Sequence, residues 1–298
     1  GKFLFATAED RAIIRWRLVD SNKVVFKGHD SWARGLAFSK DGQTLVTSGF
    51  DDKLIWWSVN DAAPKPLREV TAHKGWIRAV AVSPDGKLLA SGGNDRIVKL
   101  WSMADGKPVA ELSGHELDVY SLLFHPDGKH LLSGDLIAHI RQWDVAGAKE
   151  VRKLDAKDLH TYNGGQRVHY GGVRSLALSA NRKQLIAGGL YKGTNPLGAV
   201  NEPLIMRFDW ETQKVLKKHI TDSVKGVVWR NVFHPDGFVI ACSGGSGGGW
   251  LLFWNAGDAK AFHKFKMRDT AREMDLHPDG LQVAVVHWNK KVSICQLE

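Results

Sequence analysis

Three groups of residues carry side chains able to do chemistry. His29, Thr47 and Asp51 recur at the same offsets as His73, Ser91 and Asp95. A histidine, a hydroxyl and a carboxylate are the parts of a nucleophilic site. Gly244-Gly245-Ser246-Gly247-Gly248 fits the glycine-flanked serine of a nucleophile elbow. Thirteen histidines offer metal ligands. Each group reads better as structure. A catalytic set has no reason to be duplicated at identical spacing, whereas a repeated buried network does. An elbow needs a strand-to-helix turn, but Trp250-Leu251-Leu252-Phe253-Trp254 follows the glycines. His125, His234 and His277 each precede Pro-Asp-Gly, which places them at hairpin turns rather than around a metal. His160 and His169 could join His115 in a metal site, but the spacing is a weak signal. We therefore expect no catalytic residues, no metal and no cofactor.

The elements that position these residues are short strands. Asp-Gly recurs at 41–42, 85–86, 127–128, 236–237 and 279–280. Alternating runs such as Val80-Ala81-Val82-Ser83 precede it and apolar runs such as Leu88-Leu89-Ala90 follow. A third run then ends in an aromatic, as in Ile97-Val98-Lys99-Leu100-Trp101. Period-two runs punctuated by Gly, Asp and Asn are strands joined by hairpins. No amphipathic helix of normal length is apparent. The closing position falls at Trp16, Trp57, Trp101, Trp143, Phe208, Trp254 and Cys295, giving spacings of 41, 44, 42, 65, 46 and 41. Four strands at that period are the signature of propeller blades.

His73 … Ser83-Pro84-Asp85-Gly86 … Ser91-Gly92-Gly93-Asn94-Asp95 … Leu100-Trp101-Ser102 resembles a WD repeat. So do Gly28-His29 … Thr47 … Asp51 … Trp57 and Gly114-His115 … Ser133 … Trp143-Asp144. The resemblance covers essentially the whole chain, with strong motifs in repeats two to four and weak ones after residue 150. It implies a hydrogen-bonded tetrad in each blade, here His73, Ser91, Asp95, Trp101 and His29, Thr47, Asp51, Trp57. The fourth repeat departs from it, with Ile137 where the aspartate belongs, and repeats five to seven have lost most of the set. The expected fold is all-β: a β-propeller of four-stranded antiparallel blades, seven in number, with incomplete first and last blades. Naming the strands of a blade a (innermost) to d, the chain supplies seven b and seven c strands but six a and six d. Residues 1–298 read as one propeller domain and as part of a longer chain. Insertions at 158–167 and 191–200, both in the fifth repeat, are expected to emerge on one face.

The resemblance also implies which positions face the channel mouth: the start of strand a and the residue before the tight-turn aspartate. Carried over, these are Trp32, Arg34 and Phe50; Trp76, Arg78 and Asn94; Asp118, Tyr120 and Leu136; Arg174; Trp229; and Arg272 with Trp288, with Glu9 equivalent in the first repeat. Four arginines, Arg34, Arg78, Arg174 and Arg272, thus share one position, with aromatics as neighbours. Converging guanidinium groups attract anions, and Trp, Tyr and Arg dominate interface hot spots. The expected function is a non-catalytic interaction scaffold that binds an acidic or phosphorylated peptide or protein segment at this mouth. The alternatives are a single-stranded nucleic-acid binder and, less favoured, a propeller enzyme.

Composition excludes other classes. Among 298 residues 43% are hydrophobic, so disorder is not the dominant state. No apolar run is long enough to span a membrane as a helix, and no membrane partner is expected. Two cysteines, Cys242 and Cys295, build no disulfide framework. With no secretory signal at Gly1-Lys2-Phe3 and no N-x-Ser/Thr site, we expect a cytoplasmic protein. The net charge of +9 permits nucleic acid, but the basic residues are scattered rather than clustered.

Overall fold

The Asp-Gly dipeptides do what their chemistry requires. Asp41 Oδ1 accepts from Ser39 Oγ at 2.5 Å and from Gln43 N at 3.0 Å. Gly42 takes φ +68, a left-handed conformation that costs glycine little. Asp85 and Gly86 repeat the arrangement, with Ser83 Oγ at 2.6 Å and φ +78. The runs on either side alternate and pair as antiparallel strands.

The computed structural model describes residues 1–7, 11–194, 201–221 and 223–297. Glu9 and positions 195–200 of the second insertion lie outside the described residues. The first sheet has three strands, β1 (Phe3–Thr7), β2 (Ala12–Arg17) and β3 (Lys23–Lys27). Four-stranded sheets follow: β4 (Ala33–Phe38), β5 (Thr44–Gly49), β6 (Lys53–Ser58) and β7 (Pro66–Thr71); then β8 (Ile77–Val82), β9 (Leu88–Gly93), β10 (Val98–Ser102) and β11 (Pro108–Leu112). The fourth sheet comprises β12 (Val119–Phe124), β13 (His130–Asp135), β14 (His139–Asp144) and β15 (Lys149–Asp155). A separate hairpin, β16 (His160–Asn163) and β17 (Val168–Gly171), precedes the fifth, β18 (Ser175–Leu178), β19 (Gln184–Tyr191), β20 (Glu202–Asp209) and β21 (Val215–His219). The sixth is β22 (Val227–Phe233), β23 (Val239–Gly245), β24 (Gly248–Trp254) and β25 (His263–Lys266). The seventh has three strands, β26 (Ala271–Leu276), β27 (Gln282–His287) and β28 (Val292–Gln296).

The fold is therefore a β-propeller of antiparallel blades, the first lacking strand a and the last lacking strand d, as the repeat arithmetic requires. The first insertion was expected only as a loop; it forms the β16–β17 hairpin, stiffened by a hydrogen bond from Tyr170 Oη to Gln166 Oε1 at 2.6 Å. By contact density the chain divides into two compact units, Gly1–Ser133 with Arg141–Arg152, and Gly134–Ile140 with Lys153–Glu298.

The second to sixth blades are each wedged by a buried closing aromatic, and the first compact unit adds a polar lock. In the third blade Trp101 Nε1 donates to Ser91 Oγ at 2.7 Å, and His73 Nε2 meets the same oxygen at 2.7 Å. His73 Nδ1 reaches both oxygens of Asp95 at 2.9 Å. The second blade repeats this with Trp57, Thr47, His29 and Asp51 at 2.8–3.0 Å. Burial works to raise the pKa of Asp51 and Asp95, but the histidine bond and charge and the backbone N–H donors outweigh it, so both carboxyls sit below their ordinary value. In the fourth blade Ser133 Oγ joins His115 Nε2 at 2.6 Å and Trp143 Nε1 at 2.7 Å. There Asp135, two residues before Ile137, closes the tight turn by accepting from Ile137 N at 3.1 Å and His139 N at 2.8 Å.

The fifth and seventh blades lose donor and acceptor together, and the sixth loses the acceptor alone. The hydroxyl position lies two residues beyond the partner of the closing aromatic on strand b. Phe208 pairs with Leu185, which puts Ala187 there; Cys295 pairs with Val283, which puts Val285 there. Trp254 pairs with Val239, which puts Ala241 there, and its Nε1 donates instead to Ile220 O at 3.0 Å. His219 beside it is fully buried and donates through Nδ1 to Asp258 O at 2.7 Å.

Burial lowers the pKa of His219 from 6.5 to about 4 despite that carbonyl. A folded-state value below the unfolded one means the unfolded chain binds the proton first. The neutral buried ring therefore supports the fold fully above about pH 6.5, and that support is lost as pH falls towards 4. We expect unfolding free energy to drop by on the order of 3 kcal/mol across this window. In His219→Gln the same pH series by urea denaturation should be flatter between those limits.

Candidate partner-binding site

The mouth positions derive from one backbone feature. In strand β4, Ala33 pairs with Gly49 and Gly35 with Ser48, leaving Arg34 as an extra residue in a β-bulge. In β8 the pairs Ile77–Gly93 and Ala79–Gly92 leave Arg78 extra. In β22 the extra residue is Trp229, and in β26 it is Arg272. Arg174 N donates to Gly188 O at 2.8 Å just before Ser175 pairs with that glycine, placing Arg174 equivalently. A bulge bends the strand and re-aims the side chain of the surplus residue. The repeat alignment locates these positions; the bulge that defines them leaves no sequence signal beyond their recurrence.

Backbone bonds set the neighbours. Phe50 N donates to Trp32 O at 2.9 Å, Asn94 N to Trp76 O at 3.0 Å, and Trp288 N to Thr270 O at 2.9 Å. The close approach explains a glycine. A Cβ on Gly93 would overlap the Trp76 carbonyl oxygen, and no side-chain rotation relieves a clash with backbone.

In the first compact unit Trp32, Phe50, Trp76, Arg78, Asn94 and Tyr120 form one continuous cluster. Phe50 lies flat on Trp76, 4.4 Å between centroids at 5°, and Trp32 tilts onto Phe50 at 5.8 Å. Trp32 and Trp76 remain 46% and 45% exposed, so this apolar shelf faces solvent. The Arg78 guanidinium lies 4.5 Å from the Tyr120 ring centroid, 5.2 Å from Trp76 and 5.6 Å from Phe50. Its Nε donates to Asn94 Oδ1 at 2.8 Å and its Nη2 approaches Asp118 Oδ2 at 3.4 Å. Arg78 is thus fixed in orientation and partly neutralised. Arg34 is exposed, and among the described residues no carboxylate pairs with it. Its carbonyl accepts from Thr7 Oγ1 at 3.3 Å. Leu136 lies in the second unit and is half-buried.

In the second unit Arg174, Trp229, Arg272 and Trp288 alternate cation and ring. Trp229 lies between Arg174, at 5.6 Å, and Arg272, at 4.9 Å; Arg272 also sits 4.2 Å from Trp288. Trp229 Nε1 donates to Gly244 O at 3.2 Å, fixing the central ring, while Trp288 is 53% exposed.

The candidate chemistry of the sequence is otherwise engaged. Both His-hydroxyl-Asp sets are the blade locks described above. Ser246 lies between strands β23 and β24, at a hairpin rather than an elbow. His160 Nε2 and His169 Nδ1 bond to each other at 2.8 Å, while His115 Nε2 is engaged by Ser133. His125 does sit at a hairpin turn, but it meets Asp127 and His130 there, and the sequence pattern carries no sign of that grouping.

Similarity to known proteins follows the blade locks. The family model described as WD domain, G-beta repeat matches residues 21–58, 64–102 and 106–144. A Xenopus laevis protein named DDB1- and CUL4-associated factor 10 is 38% identical over 60 residues, 19% of this chain and 13% of that protein. Its Homo sapiens counterpart is 40% identical over 60 residues, again 19% of this chain and 11% of its own length. The chain thus matches only about an eighth of the length of these relatives.

Cation–π contacts at partly exposed positions contribute about 0.5–1 kcal/mol. Arg272→Met, which keeps an unbranched stem, should lower unfolding free energy by about that amount and alter tryptophan emission. Arg34→Met should leave both within error, since Arg34 has no comparable ring contact. Urea titration followed by fluorescence compares the two.

Proposed function

Because this chain is a WD-repeat β-propeller protein, we propose that it is a non-catalytic interaction module that receives an acidic or phosphorylated segment of a partner protein on its bulge arginines and their aromatic neighbours. The observation that carries the reading is a preoriented Arg78 against a solvent-facing Trp32–Phe50–Trp76 shelf, with exposed Arg34 at the same bulge position of the preceding blade. An anionic side chain can accept charge-assisted hydrogen bonds from Arg34, while apolar flanking residues cover the shelf. Hydrogen bonds to charged groups contribute roughly 1.5–3 kcal/mol each. The net charge of +9 favours arrival of an acidic partner. Relatives named for association with DDB1 and CUL4 support a protein as the occupant. The catalytic alternative is disfavoured because the histidine, hydroxyl and carboxylate sets hold the blades together.

The test is fluorescence anisotropy with labelled Glu-rich and phosphoserine peptides containing Leu or Phe, against sequence-matched Gln peptides and an oligothymidine. Acidic peptides should bind at least 10-fold more tightly than the Gln controls. Both Arg34→Glu and the Arg34→Glu/Arg78→Glu double variant should lose at least that factor, the single variant retaining its urea midpoint within the range of ordinary surface changes. Unchanged binding in the double variant removes the proposal. Tighter binding of oligothymidine, with a steep salt slope, replaces it with nucleic-acid recognition.

A further inference from the structure

We propose that the turn between β12 and β13 is a transition-metal site in which His125 Nδ1, Asp127 Oδ2 and His130 Nδ1 hold a divalent cation of the zinc class, with solvent as the fourth ligand. The three ligand atoms lie within 4.8 Å of one another. Asp127 Oδ2 is 2.9 Å from His125 Nδ1 and 2.7 Å from His130 Nδ1. The other carboxylate oxygen is occupied by the turn: Oδ1 accepts from Lys129 N at 2.8 Å and His130 N at 3.1 Å. Those bonds fix the carboxylate so that Oδ2 faces the two rings.

Asp127 N also donates to His125 Nδ1 at 3.2 Å, a long contact that a bound cation would replace at that nitrogen. Zinc–nitrogen and zinc–oxygen bonds of about 2.0–2.2 Å put tetrahedral ligand atoms roughly 3.3 Å apart. The observed 2.7 and 2.9 Å need to open by a few tenths of an ångström. His130, partly exposed at the start of β13, can supply that by rotating its ring. Two imidazoles and one carboxylate suit zinc, cobalt, nickel or copper rather than calcium or magnesium.

The chain contains its own control. His-Pro-Asp-Gly occurs at 125–128, 234–237 and 277–280. In the first and third turns the backbone closes identically, His125 N to His130 O at 2.9 Å and His277 N to Gln282 O at 2.8 Å. His277 Nδ1 lies 2.8 Å from Asp279 Oδ1, so two of the three ligands are present there too. The sixth position of that turn is Gln282, which supplies no third nitrogen ligand. The second turn is one residue shorter, closing from His234 N to Phe238 O at 2.8 Å, and His234 Nε2 is committed to Gly280 O at 2.8 Å.

Zinc titration by isothermal calorimetry, with cobalt(II) absorption reporting coordination geometry, tests the site in the purified chain. One equivalent of zinc and a tetrahedral cobalt spectrum are expected. His130→Gln should weaken zinc at least 10-fold and abolish the spectrum, and zinc should raise the thermal midpoint of the parent chain but not of this variant. His169→Gln should change nothing, and Gln282→His should bind a second equivalent. Undiminished zinc binding in His130→Gln, loss of binding in His169→Gln, or no binding by the parent chain overturns the assignment.

Discussion

One hydroxyl oxygen in each well-formed blade ties together three stretches of chain. Ser91 Oγ lies on strand b, accepts the indole N–H of strand c, and meets the imidazole of the loop that enters strand a. The carboxylate behind the imidazole binds Lys74 N at 3.2 Å and Ile97 N at 3.3 Å, so the entry loop and the b–c turn are fixed by the same side chain. A buried indole without this acceptor would leave its N–H unsatisfied, at about 1–3 kcal/mol. That cost explains why the parts disappear together in two blades: the fifth closes with Phe208 and has Ala187 at the hydroxyl position, and the seventh closes with Cys295 and has Val285 there. Packing carries those blades, as in the sixth, where Trp254 sits among Ile240's neighbours Val239 and Ala241 and among Leu252 and Val228.

The presentation of recognition side chains depends on that rigidity. A bulge at the start of strand a keeps its geometry only if the next strand cannot slip. The b–c turn prevents slippage because its aspartate also holds the loop before strand a. Arg78 therefore stands beside Asn94, whose backbone N–H bonds across to Trp76 as that of Phe50 does to Trp32. Where the lock is absent, the rings take over: in the second unit Trp229 is fixed through its own N–H and steadies Arg174 and Arg272 by its two contacts.

The strand inventory was legible in the sequence because period-two runs and Asp-Gly turns are local, and their recurrence multiplies a weak signal. The shared position of the arginines was legible for the same reason, since aligning repeats transfers a place in one blade to the others. Pairings between blades were not. Arg78 and Asp118 are 40 residues apart and meet only once two blades pack. The hairpin at 160–171 was not legible because Asn163-Gly164-Gly165-Gln166 carries no alternating pattern, and the Tyr170 hydroxyl that stiffens the paired strands gives no local signal. His130 was passed over because the three His-Pro-Asp-Gly turns look alike until the residue beginning the next strand is compared.

Charge placement in the first unit leaves its two arginines in different conditions. Asp118, 3.4 Å from Arg78, offsets that cation and repels any incoming carboxylate, so Arg78 adds little net attraction. Its value is shape: anchored at Nε and stacked on Tyr120, it extends the flat surface begun by Trp32, Phe50 and Trp76 at small further entropic cost. Arg34 is in the opposite condition, exposed and without a carboxylate partner among the described residues, so its charge acts on whatever arrives. An anionic group beside an apolar or aromatic residue satisfies both requirements at once, whereas a uniformly acidic stretch would meet Arg34 but also face Asp118. The occupant proposed above is therefore one of mixed acidic and apolar character rather than of charge alone.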